Sequence, residues 1–269
     1  MLTGRRWAGR PLLVVVPAVA AAGLLVGCSD DGTAPASTSS TSATATTSSP
    51  ATSGSSTPVT AGPVPSPTAS APSVAEVYRA ARTAALSAES GHAVGTVTSE
   101  GTRLRIDLEG LANGANQTVF ITTPAGGTAE VLTVGDGYWV GGDEAHWADI
   151  TGDPKAAKAL VGKYAPVSES DATELGSFTL RKLLTDTFSL PELSVLESDT
   201  GPAREAEVDG RAAYVLGTEG GPRVWVAADG SDTLLRAVGP ASEPSDLTFS
   251  GWGRARTFTQ PAPADLLEN

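Results

Sequence analysis

The chain has 269 residues, with 18 basic and 30 acidic side chains, one cysteine and 5% aromatics. Its net charge of −12 argues against non-specific nucleic-acid binding, which needs a basic face. One cysteine excludes a disulfide scaffold and a cysteine-rich metal site. The composition is uneven. Residues 32–73 contain only Gly, Ala, Ser, Thr and Pro apart from Val59 and Val64, and carry no charge. Such a stretch has too little apolar surface to offset the entropy of ordering it, which leaves residues 74–269 for one folded domain, long enough for a real core.

The N-terminus reads as a targeting device. Residues 1–11 carry Arg5, Arg6 and Arg10 and no acid, and residues 12–26 form an apolar run shorter than the roughly 20 residues a membrane-spanning helix needs. A basic start before a short apolar run predicts an export signal over residues 1–27. Leu25-Val26-Gly27-Cys28 closes that run and resembles the lipobox of bacterial lipoproteins. The resemblance implies cleavage before Cys28, acylation of its thiol and attachment to the outer face of the cell membrane. Loss of residues 1–27 removes three arginines and no acid, so the net charge goes from −12 to −15. Anionic headgroups repel such a body. Attachment then falls to the acyl chains, at about 0.8 kcal/mol per buried methylene. Residues 28–73 follow as lipidated cysteine and tether, with a root-mean-square span of roughly 35–40 Å as a flexible coil.

Within 74–269 the first element is a helix. Ser73 and Glu76 stand at capping-box spacing, Val74, Val77, Tyr78, Ala81, Ala85 and Ala88 recur at helical spacing, and Gly91 is the expected stop. The period then changes to two. Leu104, Ile106 and Leu108 alternate with Arg103, Arg105, Asp107 and Glu109, as in a strand with one wet face. Further strands are predicted at 92–99, 117–123, 128–134, 138–140 and 146–150, with tight turns at Gly135-Asp136-Gly137 and Gly141-Gly142-Asp143. Residues 153–190 break the pattern. Asp153-Pro154 starts a helix running to about Tyr164, and a second helix near 178–188 has Leu180, Leu183, Leu184 and Phe188 on one face. Strands resume at 203–208, 211–217, 223–228, 233–238 and 246–251, with Asp209-Gly210 and Asp229-Gly230 as hairpin turns, and residues 260–269 form an edge segment or loose end.

Short loops between strands favour an antiparallel sheet. The expected class is α+β: a curled antiparallel half-barrel of about 10–11 strands around an N-terminal helix and a helical lid. The order of its motifs resembles the LolA/LppX-like family of lipoproteins and lipid carriers. The residues that carry this are Gly137-Tyr138-Trp139, Trp147, Val208 to Leu216, Val224 to Gly230 and Leu247 to Gly253. The resemblance implies a half-open barrel holding acyl chains between sheet and helices.

No enzyme signature stands out: there is no phosphate-binding glycine loop, no Gly-x-Ser-x-Gly elbow and no His-Glu-x-x-His helix. His92 and His146 are expected in strands. Asp143-Glu144 and Glu205/Glu207 are expected on wet surface, and no metal or cofactor is anticipated. The candidate cavity residues are Trp139, Trp147, Leu160, Val161, Phe178, Leu180, Leu183, Leu184, Phe188, Trp225, Phe249 and Trp252, which either line a ligand space or pack as core. Two functions follow. One is non-covalent binding of a lipid or other apolar ligand in a cavity. The other is an envelope protein-binding or sensing module of the same fold, with a filled interior.

Overall fold

The structure, a computed structural model, describes residues 71–174 and 178–267. The export signal, Cys28 and nearly all of the tether lie outside the described residues. Helix α1 (Val74–Ser87) starts as its sequence dictates. The Glu76 N–H donates to Ser73 Oγ at 3.3 Å, and the Ser73 N–H donates back to Glu76 Oε2 at 2.9 Å. The helix ends at an extended Ala88, before the expected stop. Gly91 belongs instead to the next strand, where a Cβ would stand 2.9 Å from Leu180 Cδ2. Its small size makes room for a helix overhead.

Five strands follow: β1 (Ser90–Ser99), β2 (Thr102–Leu111), β3 (Asn116–Thr122), β4 (Thr128–Val134) and β5 (Gly137–Gly142). The strand expected at 146–150 is a helix, α2 (Glu144–Thr151). Asp143 caps it, its carboxylate accepting the His146 N–H at 2.8 Å, and Gly152 at φ +67 ends it. Five residues of alternation cannot outweigh a cap at one end and a left-handed glycine at the other. The expected turn at 141–143 goes with it, since Gly141 and Gly142 complete β5. Helix α3 (Pro154–Leu160) stops short of Tyr164 because β6 (Ala165–Val167) pairs with β5. The sixth strand therefore exists, starting at Ala165 rather than at 146.

Helix α4 (Glu169–Glu174), helix α5 (Leu180–Phe188), helix α6 (Pro191–Ser194) and a 3-10 turn (Val195–Ser198) come next. The remaining strands are β7 (Arg204–Val208), β8 (Arg211–Gly217), β9 (Arg223–Ala227), β10 (Leu234–Val238) and β11 (Asp246–Ser250). Asp209 at φ +49 and Gly210 at φ +78 make the expected two-residue hairpin. Asp229-Gly230 lies in a longer connection, where Asp229 accepts the Ser231 N–H at 3.0 Å.

All eleven strands form one antiparallel sheet in the order β6-β5-β4-β3-β2-β1-β11-β10-β9-β8-β7. The first and last strands meet in the middle, and the two edge strands, β6 and β7, are consecutive in sequence. The chain from Ser168 to Ala203 must therefore travel from one edge to the other. It does so over the apolar face, which it covers together with α1. The N-terminal end is clasped to the close of this crossing. The Val74 N–H donates to Gly201 O, the Ala75 N–H to Asp199 O and the Ala203 N–H to Pro72 O, at 2.8–2.9 Å. The C-terminal segment is a strap rather than a loose end. The Arg256 guanidinium pairs with Glu109, Asn116 and Phe258 exchange two hydrogen bonds, and Leu266 bridges to Tyr164 beside β6. The Tyr164 hydroxyl donates to Glu130 at 2.8 Å. Burial, helped by that bond, pushes its phenol up to about 12.

Gly95 sits where β1 meets β11, and a Cβ there would lie 1.9 Å from Asp246 O. Gly162, by contrast, faces open space. Gly95→Ala should therefore cost on the order of 2–4 kcal/mol and Gly162→Ala about 1 kcal/mol, measured by urea unfolding. Equal costs would mean that the sheet centre is not closed as described.

Candidate functional site

Strand parity divides the sheet into two faces. On the covered face, Ile106 and Leu108 of β2, Val119 and Ile121 of β3, Val224 and Val226 of β9, and Leu247 and Phe249 of β11 join one continuous core with α1, α5 and α6. Tyr78, Leu180 and Leu193 are wholly buried in it. The Tyr78 ring meets Phe188 edge-on, and its hydroxyl donates to the Phe188 carbonyl at 3.2 Å. Burial raises the pKa of that phenol. Helix α5 is further fixed by the Arg181 N–H on Ala112 O and by the Gln117 side-chain amide on the Phe178 carbonyl, both at 3.0 Å. Phe249 stacks on Trp252, whose indole N–H donates to Leu234 O. These side chains line the layer from both the sheet and the helices.

Seven of the candidate cavity residues meet here: Phe178, Leu180, Leu183, Leu184, Phe188, Phe249 and Trp252. The others lie elsewhere. Trp139 pairs with Leu132 in register, one residue out of phase with the core pair Val131 and Val140, so it occupies the opposite face, where its ring lies over Gly137. Trp225 belongs to a second apolar cluster on that outer face, with Val208, Ala213, Val215, Ala227 and Leu235. The guanidinium groups of Arg223 and Arg236 sit 5.1 and 5.0 Å from its ring centroid. Trp147 and His146 are on α2, not in a strand. Their rings meet edge-on, and the indole N–H and His146 Nε2 are buried without a hydrogen-bond partner among the described residues. Leu160 is half-buried at the end of α3, and Val161 beyond it is 49% exposed.

On the central strands the outer face carries the charge, with Arg103, Arg105, Asp107 and Glu109 of β2 and Asp246 of β11. His92 Nε2 lies 2.7 Å from Asp107, and its Nδ1 lies 3.4 Å from Ser250 Oγ. These are the residue types of a serine-hydrolase relay, but the row stands on an open sheet face with the serine exposed, with no walls to hold a substrate or exclude water. It is a cross-strand hydrogen-bond ladder. Next to it runs a groove of about 480 Å³. Its floor is Val94, Thr96, Arg103, Arg105, Arg236, Asp246 and Thr248, and its far wall is the β7–β8 hairpin tip, Glu207 to Asp209. Arg236 is held in place by a bidentate pair with Asp246. The alternation of Arg103 and Arg105 was visible in the sequence. Their meeting with a hairpin a hundred residues away depends on the twist of the whole sheet, and no local signal marks it. A smaller groove of about 300 Å³ lies against Arg79, Arg82, Thr83 and Leu86 of α1. Neither groove is lined by the sheet residues of the packed interior. No helix among the described residues is long and apolar enough to cross a membrane.

Among solved structures the chain is similar to LprF from Mycobacterium bovis, with 17% identity, 71% of this chain and 99% of that one covered, and a TM-score of 0.44. It is also similar to the lipoprotein LppX of Mycobacterium tuberculosis, with 20% identity, 66% and 94% covered, and a TM-score of 0.37. A third similar structure is MucB, with 12% identity, 73% and 62% covered, and a TM-score of 0.31. No family model and no curated protein matches the chain.

Burial holds the His146 imidazole below its ordinary 6.5, against the pull of Asp143 and Asp149. The native state thus keeps this ring neutral. As pH falls below 6.5, the unfolded chain binds a proton that the native state refuses, and stability is lost. His146→Gln should flatten the dependence of the urea midpoint on pH between about 7.5 and 5.5. An unchanged slope would place the acid-sensitive group elsewhere.

Proposed function

We propose that this chain is an extracytoplasmic lipoprotein, processed after residue 27 and acylated at Cys28, whose domain over residues 74–269 binds a lipid or other apolar ligand non-covalently beneath its helical cover. The observation that supports this reading is the continuous apolar layer between sheet and helices, in which no described charged side chain is buried. An acyl chain entering such a layer exchanges water for hydrocarbon, at about 0.8 kcal/mol per methylene. The ligand enters by displacing part of the cover. Helices α5 and α6 are the short pieces of that cover. Residues 28–73 serve as the tether that sets the working distance from the membrane.

The close packing of Tyr78, Phe188 and Leu180 favours a second reading, a protein-binding or sensing module with the same anchor and a filled interior. Native mass spectrometry of the full-length protein and of its Cys28→Ala variant, each purified from a lipid-containing host and then offered dioleoyl-phosphatidylglycerol, separates the two. Uptake of phospholipid by both forms supports the carrier. A clean mass for Cys28→Ala before and after lipid addition supports the module. A Cys28 peptide without diacylglycerol would remove the anchor from either reading.

A further inference from the structure

We propose that the groove on the outer face is a binding site for the phosphate group of a phosphate ester, seated on the guanidinium groups of Arg103 and Arg105. The site lies on the other side of the sheet from the interior discussed above and does not depend on what that interior binds.

The argument begins with the neighbours of the two arginines. The chain carries 30 acidic and 18 basic side chains, so carboxylates are plentiful, and cross-strand pairs of opposite charge stabilise a sheet. Arg103 and Arg105 stand opposite threonines instead. Thr98 of β1 faces Arg103, and Thr96 of β1 and Thr122 of β3 flank Arg105. Both arginines are exposed. Arg103 makes one side-chain hydrogen bond, to Thr96 Oγ1 at 3.0 Å. Among the described residues the Arg105 side chain makes none, and neither guanidinium has a carboxylate within ion-pairing distance.

The carboxylates on this part of the outer face are committed elsewhere. Asp107, the next outward residue of β2, lies 2.7 Å from His92 Nε2. Asp246, opposite Thr96 on β11, makes the bidentate pair with Arg236. The hydrogen bonds from Asp246, and then the charge of Asp209 at the hairpin tip, raise the pKa of Arg236, so both carboxylates act on one cation. Glu207 alternates with Val208, which lies in the outer apolar cluster, and its side chain therefore belongs to the other face of β7.

Two guanidinium groups with unused donors are left on one strand, their Cα atoms about 7 Å apart. At that spacing both side chains can close on one tetrahedral anion. Each fork offers parallel N–H donors that match phosphate oxygens, and an anion between the two removes their mutual repulsion. A monocarboxylate has only two oxygens and satisfies one fork. The Thr248 hydroxyl borders the same space, and Val94 and Val208 supply apolar contact for the carbon part of an ester. The volume of about 480 Å³ accommodates a phosphate and a short polyol.

Calorimetric titration of the full-length protein in a non-ionic detergent tests this with glycerophosphate, glycerophosphoglycerol and acetate. The expected result is saturable binding of at least one phosphate ester with a Kd of about 5 mM or lower, and acetate weaker by about tenfold or more. Tighter glycerophosphate identifies a soluble monoester as the source of the phosphate, and tighter glycerophosphoglycerol a lipid headgroup. Arg103→Gln with Arg105→Gln should weaken the ester by about tenfold or more, and Arg103→Lys with Arg105→Lys, which keeps the charge and removes the forks, by about threefold. Arg204→Gln, at an exposed outer-face arginine of β7 that does not line the groove, should leave the affinity unchanged. Unchanged near-ultraviolet circular dichroism confirms that each variant is folded. Absence of saturation by either ester at about 20 mM would overturn the proposal. So would acetate binding as tightly as the esters, a folded double glutamine variant with unaltered affinity, or a loss in Arg204→Gln as large as in that variant.

Discussion

The structure depends on one connection. The edge strands β6 and β7 are neighbours in sequence but lie at opposite ends of an eleven-stranded sheet, so residues 168–203 have to cross it. A crossing on the wet face would leave one whole side of β1, β2, β3, β9 and β11 in water. A crossing on the apolar face buries that side against α5, α6 and α1. Leu180, Leu184 and Leu193, all nearly inaccessible to water, show how completely this is done. The polar bonds that hold the crossing use the Ala112 and Phe188 carbonyls and the Gln117 amide. They set its position, and the buried area supplies most of its stability.

Twist then gives the two faces different chemistry. A large antiparallel sheet coils like a saddle, and the corner bearing the β7–β8 hairpin is brought over the outer side of the central strands. The register shift between Leu234 and Arg236 in β10 adds to this local bend. Trp225 and its neighbours close into a small second core where a flatter sheet would expose them. Just beyond it, the hairpin tip faces Arg103 and Arg105. One geometric property thus yields both a dry cluster and a polar cleft side by side.

Much of this was legible in the sequence, where local chemistry and periodicity agreed. The Ser73–Glu76 capping box, the alternation through β2, the apolar stripe of α5 and the Asp209-Gly210 turn all stand where the residues put them, and β4 and β8 have the expected bounds. The misreadings have physical causes. His146 to Ile150 alternates for too few residues to distinguish strand from helix, and Asp143 and Gly152 decide in favour of helix. Strand β9, Arg-Val-Trp-Val-Ala, is apolar on both sides, so parity alone could not say which face Trp225 takes. Trp139 sits outside because the register of β5 against β4 places Val140 inside, a fact set by the length of the Gly135-Asp136 turn. The groove depends on residues a hundred positions apart, and only the completed twist joins them.

The clasp between residues 72–75 and 199–203 has a mechanical meaning. Any pull on the chain ahead of Pro72 arrives at three backbone hydrogen bonds on the segment where the crossing ends. It does not arrive at the sheet, whose central strands are shielded by long ladders on both sides. Tension would therefore be felt first by the 3-10 turn and α6, and the body beneath would be the last part to yield.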